Sequence, residues 1–477
     1  MSDGLTQDGA ESRSGRRPIV ELLVLAAPTV AQMASYTLMQ FADRYMLGKV
    51  GTLEATAAGT AGLSYFSVLG FGFGVLLVLN TLASQSFGRK DYPSAGRYMW
   101  QGLWFGLAFG LVTLLLLPVA ERIFLTMGHE PRIAVPEGDY LRVVAMAGWA
   151  KLASTAMGQF LLGLHRPTIV LVGALLGVVS NLFFNWLLIY GNWGFPALGV
   201  AGAAWGTNSA VGLELLVMAI YVSRAEFVRI FHTGDWRVQW NMMRTLLRIG
   251  LPAGFQLVCD IMAWTIFLNV IVGHFGTAAL SATSFAFSYM HLCFMPAVGV
   301  GGALTALVGK YIGMGRHDLA ARRAHLGFMV CVVYMVLAGM CLYVFRYPLI
   351  GLFTSDQEVL RIGSRIMFFI AMYQVFDAMF VVYVGALRGA GDTLIPAVVQ
   401  AGLVWTIVVV GGGLIAWNYP QYGVSGPWTL ATVFGALLGL FLLTRFQRGG
   451  WKSINLHQES DSNVPIESAR LSPVPDP

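Results

Sequence analysis

Long apolar segments separated by short polar connections run through almost the whole chain. Each has about the length, roughly 20 residues, that a helix needs to cross a lipid bilayer. The segments lie near 19–46, 56–84, 98–118, 140–163, 168–190, 198–222, 246–272, 279–310, 325–350, 363–386, 394–417 and 424–444. The pattern predicts an all-α polytopic membrane protein with about twelve transmembrane helices.

Composition supports this prediction and excludes a soluble protein. Of the 477 residues, 56% are hydrophobic and only 11% are charged, whereas an ordinary soluble domain carries about 25% charged residues. The four cysteines (Cys259, Cys293, Cys331 and Cys341) lie in apolar runs without metal-ligand spacing, so neither a disulfide framework nor a zinc site is predicted. We expect no cofactor.

The basic residues predict the orientation in the membrane. If the N-terminus is cytoplasmic, the cytoplasmic segments carry 21 Lys and Arg residues and the opposite side carries 7. The positive-inside rule then places both termini in the cytoplasm. The net charge of +6 therefore reflects topology, and no nucleic-acid partner is expected.

The two halves of the chain repeat each other. The segment Ala27-Pro28-Thr-Val-Ala-Gln32 is similar to Leu251-Pro252-Ala-Gly-Phe-Gln256, at an offset of 224 along the chain. Five further pairs of short segments match in the same order, at offsets between 223 and 227. Each half holds about six spans, which predicts two parallel six-helix repeats with a substrate site between them, as in secondary transporters.

The repeat also sets the predicted organisation of the chain. We expect a cytoplasmic tail at 1–18, an amino-terminal lobe at 19–222, a cytoplasmic linker at 223–245, a carboxyl-terminal lobe at 246–445 and a second cytoplasmic tail at 446–477. No GxxxxGK[ST] segment occurs, so transport driven by ATP lacks its phosphate-binding loop.

Four acidic residues lie well inside apolar spans: Asp43, Glu214, Asp260 and Asp377. A carboxylate at the centre of the bilayer costs about 2.5–3.5 kcal/mol on insertion scales, so such residues face a bundle interior or a cavity and are candidates for function. The counterpart of Asp377 in the other half is Ser154, and no acid has an acidic counterpart. The shared scaffold therefore does not require these acids. Glu214 has Lys151 as a possible partner, and for Glu214 a structural role is at least as well supported as a functional one.

Helical spacing gives these acids polar neighbours. The pairs that lie four residues apart, and thus on one helix face, are Asn181 with Asn185, Gln256 with Asp260, and Tyr373 with Asp377. Amides on one face often join helices by hydrogen bonds. Such oxygen-rich groups can also coordinate a hard cation or hold a proton on a carboxylate.

Several segments together resemble the multidrug and toxic compound extrusion (MATE) family, and in particular its NorM-like bacterial branch. The resemblance covers roughly residues 19–445. It rests on Ala27-Pro28, Phe41-Ala-Asp43, Pro196-Ala-Leu-Gly-Val-Ala-Gly-Ala-Ala204, Gly250-Leu-Pro252, Tyr373-Gln-Val-Phe-Asp377 and Leu387-Arg-Gly-Ala-Gly-Asp-Thr393.

The resemblance implies a V-shaped pair of lobes that exports cationic amphipathic compounds in exchange for Na⁺ or H⁺. It implies an amino-lobe site at Asp43, Asn181, Asn185 and Thr207, and a carboxyl-lobe site at Asp260, Tyr373 and Asp377. Asp260 and Asp377 are then the possible Na⁺ ligands. Asp260 stands where NorM-like members usually have Glu, which leaves the ion preference open. Asn185 stands where some relatives carry Asp, and Arg44 replaces a small polar residue.

The expectation is a multi-pass protein of the cell inner membrane that acts as a monomer on small organic cations. A lipid-linked oligosaccharide flippase of related architecture is the alternative, although its cavity should be more cationic. An intramembrane enzyme would need a nucleophile–base pair or a metal site such as His-Glu-x-x-His inside the spans, and none is present. We therefore predict that the protein is not an enzyme.

Overall fold

The protein is helical throughout the residues that its computed structural model describes, 18–456. Eleven helices in this range are long and apolar enough to cross a membrane, and a twelfth crossing consists of two shorter helices. In chain order they are α1 (Pro18–Gly48), α2 (Thr52–Gly88), α3 (Tyr92–Leu116), α4 (Pro131–Met146 and Gly148–Gly163), α5 (Pro167–Tyr190), α6 (Val200–Val222), α7 (Trp240–Phe275), α8 (Thr277–Gly313), α9 (His317–Val344), α10 (Gln357–Gly389), α11 (Leu394–Asn418) and α12 (Ser425–Arg448). Of the two predicted tails, 1–17 and 457–477 lie outside the described residues.

The α4 crossing is broken in the middle. Its two helices have 16 residues each and meet at Ala147, whose φ of −99° and ψ of 10° are not helical. A helix of 16 residues is about 24 Å long, which is shorter than the hydrocarbon core of a bilayer. The two helices therefore cross the membrane only together, in the place where the sequence predicts one span.

Some helices begin earlier than the hydrophobic pattern predicts. The third begins at Tyr92 rather than at 98, because the Asp91 side chain accepts a hydrogen bond from the Ser94 backbone N–H (3.2 Å) and caps the helix. The seventh begins at Trp240 rather than at 246, where Met242 and Met243 are buried against the amino lobe. Caps and packing thus extend helices beyond their apolar stretches.

Helices α1–α6 form the amino lobe and α7–α12 form the carboxyl lobe, connected by 223–239, which contains the short helix Ala225–Phe231. Proline lies inside α1 and α7 at equivalent positions, Pro28 and Pro252. The largest cluster of buried apolar side chains belongs to the carboxyl lobe but also includes Leu22 and Leu25 of α1. The first helix therefore contributes to both lobes.

We call the side of the bundle that holds residues 223–239 the linker side. Helices α1 and α7 begin on this side, and helices α2, α8 and α10 end on it. In the described chain, several side-chain hydrogen bonds join the lobes in the half of the bundle nearest this side. They include Thr29 to the Gly299 carbonyl (2.8 Å), Asn80 to the Gly302 carbonyl (3.1 Å), Thr81 to the Arg388 carbonyl (2.8 Å), Gln85 to the Gly389 carbonyl (2.9 Å), and the bonds to Glu21 described next. We call this region the linker-side contact.

Glu21, in the first turn of α1, joins the two lobes by charge. Its carboxylate accepts hydrogen bonds from the Tyr311 hydroxyl (2.8 and 3.0 Å) and from Nε of Arg323 (3.0 Å). The Lys310 Nζ lies 3.6 Å from it. The side chains of Arg323 and Glu21 are only 6% and 14% exposed, so solvent screens this ion pair weakly.

We expect Glu21→Gln to destabilise the linker-side contact. Hydrogen bonds to a charged group are worth about 1.5–3 kcal/mol, and the substitution leaves Arg323 and Lys310 without their anion. Thermal unfolding of the purified protein should show a lower Tm. Asp318→Asn is the matched control, because the pair of Asp318 with Arg316 is exposed (58% and 47%) and exposed pairs contribute about 0–1 kcal/mol. Equal Tm values for the two variants would contradict the role given to Glu21.

Candidate functional site

A cavity of about 180 Å³ lies in the carboxyl lobe between α7, α8, α10, α11 and α12. Two of the predicted acids, Asp260 and Asp377, line it together with Tyr373. The fold thus brings together the three predicted carboxyl-lobe residues from two helices that are about a hundred positions apart in sequence. The rest of the wall is largely aromatic and apolar: Trp264, Phe287, Met290, Phe294, Phe376, Phe380, Phe434 and Leu438.

Asp260 is held by an amide on α11. Nε2 of Gln400 donates a hydrogen bond to Oδ1 of Asp260 (3.0 Å), and the Gln400 carbonyl accepts one from the amide of Gln256. Gln256 and Asp260 lie one turn apart on α7, as their spacing predicts. Gln400 is 4% exposed and connects the two, which fixes the carboxylate of Asp260 at the cavity wall.

Asp377 has a different environment. It is 5% exposed, and its Oδ2 atom is buried without a hydrogen-bond partner. On the same helix, both polar atoms of the Gln374 side chain are also buried and unpartnered. Buried polar groups are almost always hydrogen-bonded, so such exceptions call for an explanation. Carboxylate and amide oxygens are the ligands that hard cations prefer, so these residues fit a bound Na⁺ or a proton on the carboxyl group.

Tyr373 packs where α10 approaches α12. Its ring lies 6.2 Å from the Trp264 ring, edge to face. A Cβ atom at Gly435 would lie 2.7 Å from the Tyr373 ring, so only glycine allows the ring to pack this closely against α12. Tyr373 is 5% exposed and forms one wall of the cavity, one helical turn from Asp377.

The predicted amino-lobe residues also come together, in the half of α1 away from the linker side. The Nδ2 atom of Asn185 donates hydrogen bonds to the Asp43 carboxylate and to Oδ1 of Asn181 (3.1 Å). Both asparagines are fully buried, and Asn185 Oδ1 has no partner. Arg44, next to Asp43, is exposed.

Thr207 lies beside this group on α6. Its neighbour Gly206 is so close to Asn185 that an added Cβ atom would contact the amide oxygen. The Thr207 side chain bonds to its own helix at the Ala203 carbonyl (3.1 Å) and also contacts the hydroxyl of Tyr140 on α4. Asp43, Asn181 and Asn185 are therefore joined by hydrogen bonds, and Thr207 lies next to them through Gly206 without a hydrogen bond of its own to the three among those described.

The pairing of Glu214 with Lys151 is indirect. The Tyr36 hydroxyl on α1 donates a hydrogen bond to Glu214, and the Lys151 Nζ atom lies 5.1 Å from the centre of the Tyr36 ring. Tyr36 thus contacts both charged side chains, and no direct ion pair joins them within the described chain. Sequence spacing could not predict this arrangement because it depends on how α1, α4 and α6 pack.

The family model MatE matches the chain twice, over residues 28–187 and 252–411. The starting positions of the two matches differ by 224, which is the offset of the internal repeat, and together the matches cover most of the chain.

The chain belongs to the MATE family.

Its curated relatives are named as multidrug resistance proteins. The probable multidrug resistance protein NorM of Mesorhizobium japonicum is 30% identical, over 91% of this chain and 94% of the relative. The multidrug resistance protein PmpM of Pseudomonas aeruginosa is 26% identical, over 93% and 94%. MdtK of Edwardsiella ictaluri is 27% identical, over 88% and 92%. This MATE protein is accordingly a multi-pass membrane transporter of small molecules and not an enzyme.

Solved structures support the same fold. An outward-facing MATE transporter of the MOP superfamily has a TM-score of 0.83 at 18% identity, covering 92% of this chain and 98% of that one. The eukaryotic MATE transporter AtDTX14 has a TM-score of 0.82 at 18% identity, covering 91% and 97%. The prediction of an all-α protein with two parallel six-helix repeats is confirmed.

Four polar residues of this MATE protein were missed by sequence reasoning: Gln400, Gln374, Tyr140 and Tyr36. Each is an uncharged polar residue in a membrane-spanning helix. A polar residue within hydrocarbon needs a partner, which would have selected them as candidates. Their partners lie on other helices, however, so only the fold shows which group each one joins.

Proposed function

We propose that this MATE protein is an antiporter that exports small organic cations in exchange for Na⁺ or H⁺. The observation that supports it most is the carboxyl-lobe cavity, where two carboxylates, Asp260 and Asp377, share a wall with aromatic rings. Carboxylates attract a cation, and aromatic faces such as that of Trp264 bind cationic and apolar groups alike. A cationic amphipathic compound has both features.

Exchange follows from competition for the same carboxylates. Na⁺ or H⁺ bound at Asp377 removes the negative charge that an organic cation needs, so each ligand lowers the affinity for the other. Such coupling is reciprocal and is typically about 1–3 kcal/mol, or roughly 5- to 150-fold in affinity. The unpartnered oxygen of Asp377 and the amide of Gln374 are suited to the inorganic ion.

We place the linker side in the cytoplasm of a bacterial inner membrane, because the basic residues there number 21 against 7 on the other side and basic residues favour the cytoplasmic face. The linker-side contact then closes the cytoplasmic half of the bundle, which corresponds to an outward-facing state. Inward opening requires the lobes to separate at Glu21 and its partners. Since one chain contains both lobes, we expect it to act as a monomer.

A lipid-linked oligosaccharide flippase is less well supported. The lining of the carboxyl-lobe cavity contains Asp260, Asp377 and His291 but no Lys or Arg among the described residues, whereas a phosphate-bearing substrate would require basic side chains. The curated relatives also bear names of multidrug resistance proteins.

Ethidium transport into inverted membrane vesicles tests the proposal. Higher Na⁺ or higher H⁺ inside the vesicles, imposed separately, should drive ethidium uptake, and the gradient that does so identifies the coupling ion. Vesicles without the protein are the control. If neither gradient produces uptake above this control, coupled export of organic cations is contradicted.

Asp260→Asn and Asp43→Asn should each impair the gradient-driven rate. Asp260→Asn removes one of the two charges of the cavity, and Asp43→Asn removes the charge that Asn185 binds. Loss of one coupled charge predicts a decrease on the order of 5- to 150-fold, measured as the initial rate of ethidium uptake. Glu226→Gln, an exposed position in the linker helix, is the control. Full activity in both Asp variants would favour a purely structural role for these acids.

A further inference from the structure

A second group of charged residues lies within the membrane, in the amino lobe. It consists of Tyr36, Lys151 and Glu214, which we call the Tyr36 cluster. The Tyr36 hydroxyl donates a hydrogen bond to Glu214, which is 4% exposed, and the Lys151 ammonium lies 5.1 Å from the Tyr36 ring centre. It is separate from the group at Asp43, since no side-chain hydrogen bond connects the two within the described residues.

The internal repeat relates this cluster to the carboxyl-lobe cavity. At the offset of 224 that relates α1 to α7, Gln32 corresponds to Gln256 and Tyr36 corresponds to Asp260. In both lobes the glutamine lies one turn before the second residue. In the amino lobe Nε2 of Gln32 donates to the Tyr36 hydroxyl (3.4 Å), and its buried Oε1 atom has no partner.

The other two members correspond to residues in or next to the wall of the same cavity. At the offset of 223 that relates α4 to α10, Lys151 corresponds to Gln374. At the offset of 224 that relates α6 to α12, Glu214 corresponds to Leu438, which lines the carboxyl-lobe cavity. Tyr36 and Glu214 therefore correspond to residues that line this cavity, and Lys151 corresponds to a residue next to Tyr373 in its wall.

The two positions differ in charge. The carboxyl-lobe cavity has two carboxylates, Asp260 and Asp377, and no Lys or Arg in its described lining. The amino-lobe position has one carboxylate, Glu214, at the hydroxyl of Tyr36 and one ammonium, Lys151, over the face of the same ring. A cation over a tyrosine face is attracted by the ring and more strongly when water is excluded. A buried carboxylate is stabilised by a nearby positive charge or by a bound proton.

We infer that Glu214 and Tyr36 form a second monovalent-cation site, and that the ammonium of Lys151 occupies it permanently as a cation built into the chain. The amino lobe thus keeps a fixed positive charge at the position where the carboxyl lobe exchanges one. The comparison with an exchangeable ion rests on the function proposed above, whereas the charge compensation within the Tyr36 cluster does not. Removal of the Lys151 charge should open the amino-lobe site to an external cation.

The groups that meet Glu214 are few. From α1 it meets Tyr36, and beyond that ring Lys151 of α4. From α5 it meets Gly173, where an added Cβ atom would lie 3.5 Å from Cγ of Glu214. Apart from Tyr36, no titratable side chain of the described helices is hydrogen-bonded to Glu214, and the positive charge that we assign to it is the Lys151 ammonium over the Tyr36 ring.

Thermal unfolding of the purified full-length protein tests this inference. Asp260→Asn and Asp377→Asn are present in every protein compared, which removes the carboxyl-lobe charges and separates this test from the proposed function. To this background we add Lys151→Met, Lys151→Arg, or Lys151→Met with Glu214→Gln. The Tm is measured in NaCl and in choline chloride of equal ionic strength at pH 8, and in choline chloride at pH 6.

In choline chloride at pH 8, the Lys151→Met protein should have a lower Tm than the background protein. Na⁺ or acidification should raise this Tm by about 2–4 °C in a saturable manner, because a ligand that binds only the folded state stabilises it. Lys151→Arg should behave as the background does. Adding Glu214→Gln should abolish the cation dependence and restore the Tm. If Lys151→Met yields folded protein only together with Glu214→Gln, charge compensation is equally supported.

Two results would overturn the inference. One is a Lys151→Met protein no more sensitive to Na⁺ or pH than the background. The other is a double substitution that is as unstable, or as dependent on cations, as Lys151→Met alone, including the case in which neither protein folds.

Discussion

Asp377→Asn should abolish most gradient-driven ethidium transport while leaving the protein folded. The substitution keeps the shape of the side chain but removes the charge that the exchange of ion and organic cation requires. We expect the initial rate in inverted vesicles to fall by about 10-fold or more, within the range typical of coupling between two ligands. This effect should exceed that of Asp43→Asn, because Asp377 lies in the cavity and has an unpartnered oxygen.

Glu358→Gln provides the matched control for Asp377→Asn. It makes the same change of charge on the same helix, α10, but at an exposed position in its first turn. Its transport rate should equal that of the wild type. If Asp377→Asn retains the full rate driven by the Na⁺ or H⁺ gradient, the assignment of the carboxyl-lobe cavity as the coupling site is wrong.

Gly299→Ala should open the linker-side contact. A Cβ atom at this position of α8 would lie 2.8 Å from the backbone N and Cα atoms of Val30 on α1. Backbone atoms cannot rotate away, so the two helices must separate, and such overpacking costs about 1–3 kcal/mol. The equilibrium between closed and open linker-side contact should shift by roughly 5- to 150-fold, and transport should slow because one state is disfavoured.

Gly302→Ala, three residues later on the same helix, is the control, since a Cβ atom there would meet nothing within 4 Å. Both variants gain the same helix propensity and differ only in the inter-lobe contact. The measurement is labelling of Ser84→Cys with a membrane-impermeant thiol reagent in a protein whose four native cysteines are replaced. Ser84 of α2 is fully buried and packs against Gly309 of α8 in the linker-side contact. Labelling should rise only with Gly299→Ala. Equal labelling in the two variants would show that the close approach of α1 and α8 does not hold the lobes together.

The sequence predicted the membrane-spanning architecture well. Hydrophobic length and the repeat are properties of the chain itself, because a bilayer imposes the same requirement on each span regardless of its neighbours. The broken α4 crossing was predicted as a single helix. Its break at Ala147 has no proline cue, and the hydrophobic pattern continues through it.

The candidate site was predicted in part. Helical periodicity placed Tyr373 one turn from Asp377 and Asn181 one turn from Asn185, because residues four apart share a face. The link from Asp260 to Gln400 and the position of Tyr36 between Lys151 and Glu214 were not predicted. Each joins residues on different helices, separated by more than one hundred positions, and no local pattern specifies such a pairing.

By itself the sequence determined that this is a twelve-span, two-repeat MATE protein and which acids lie within its membrane spans, since both follow from local hydrophobicity and similarity along the chain. Only the tertiary structure decided which of those acids face a common cavity, which are charge-compensated and on which side the lobes are joined. The physical reason is that the environment of a carboxylate in a helical bundle is set by the neighbouring helices. Asp377 lines a cavity, whereas Glu214 accepts a hydrogen bond from a tyrosine whose ring also contacts a lysine. In the sequence, both are single acidic residues within an apolar span.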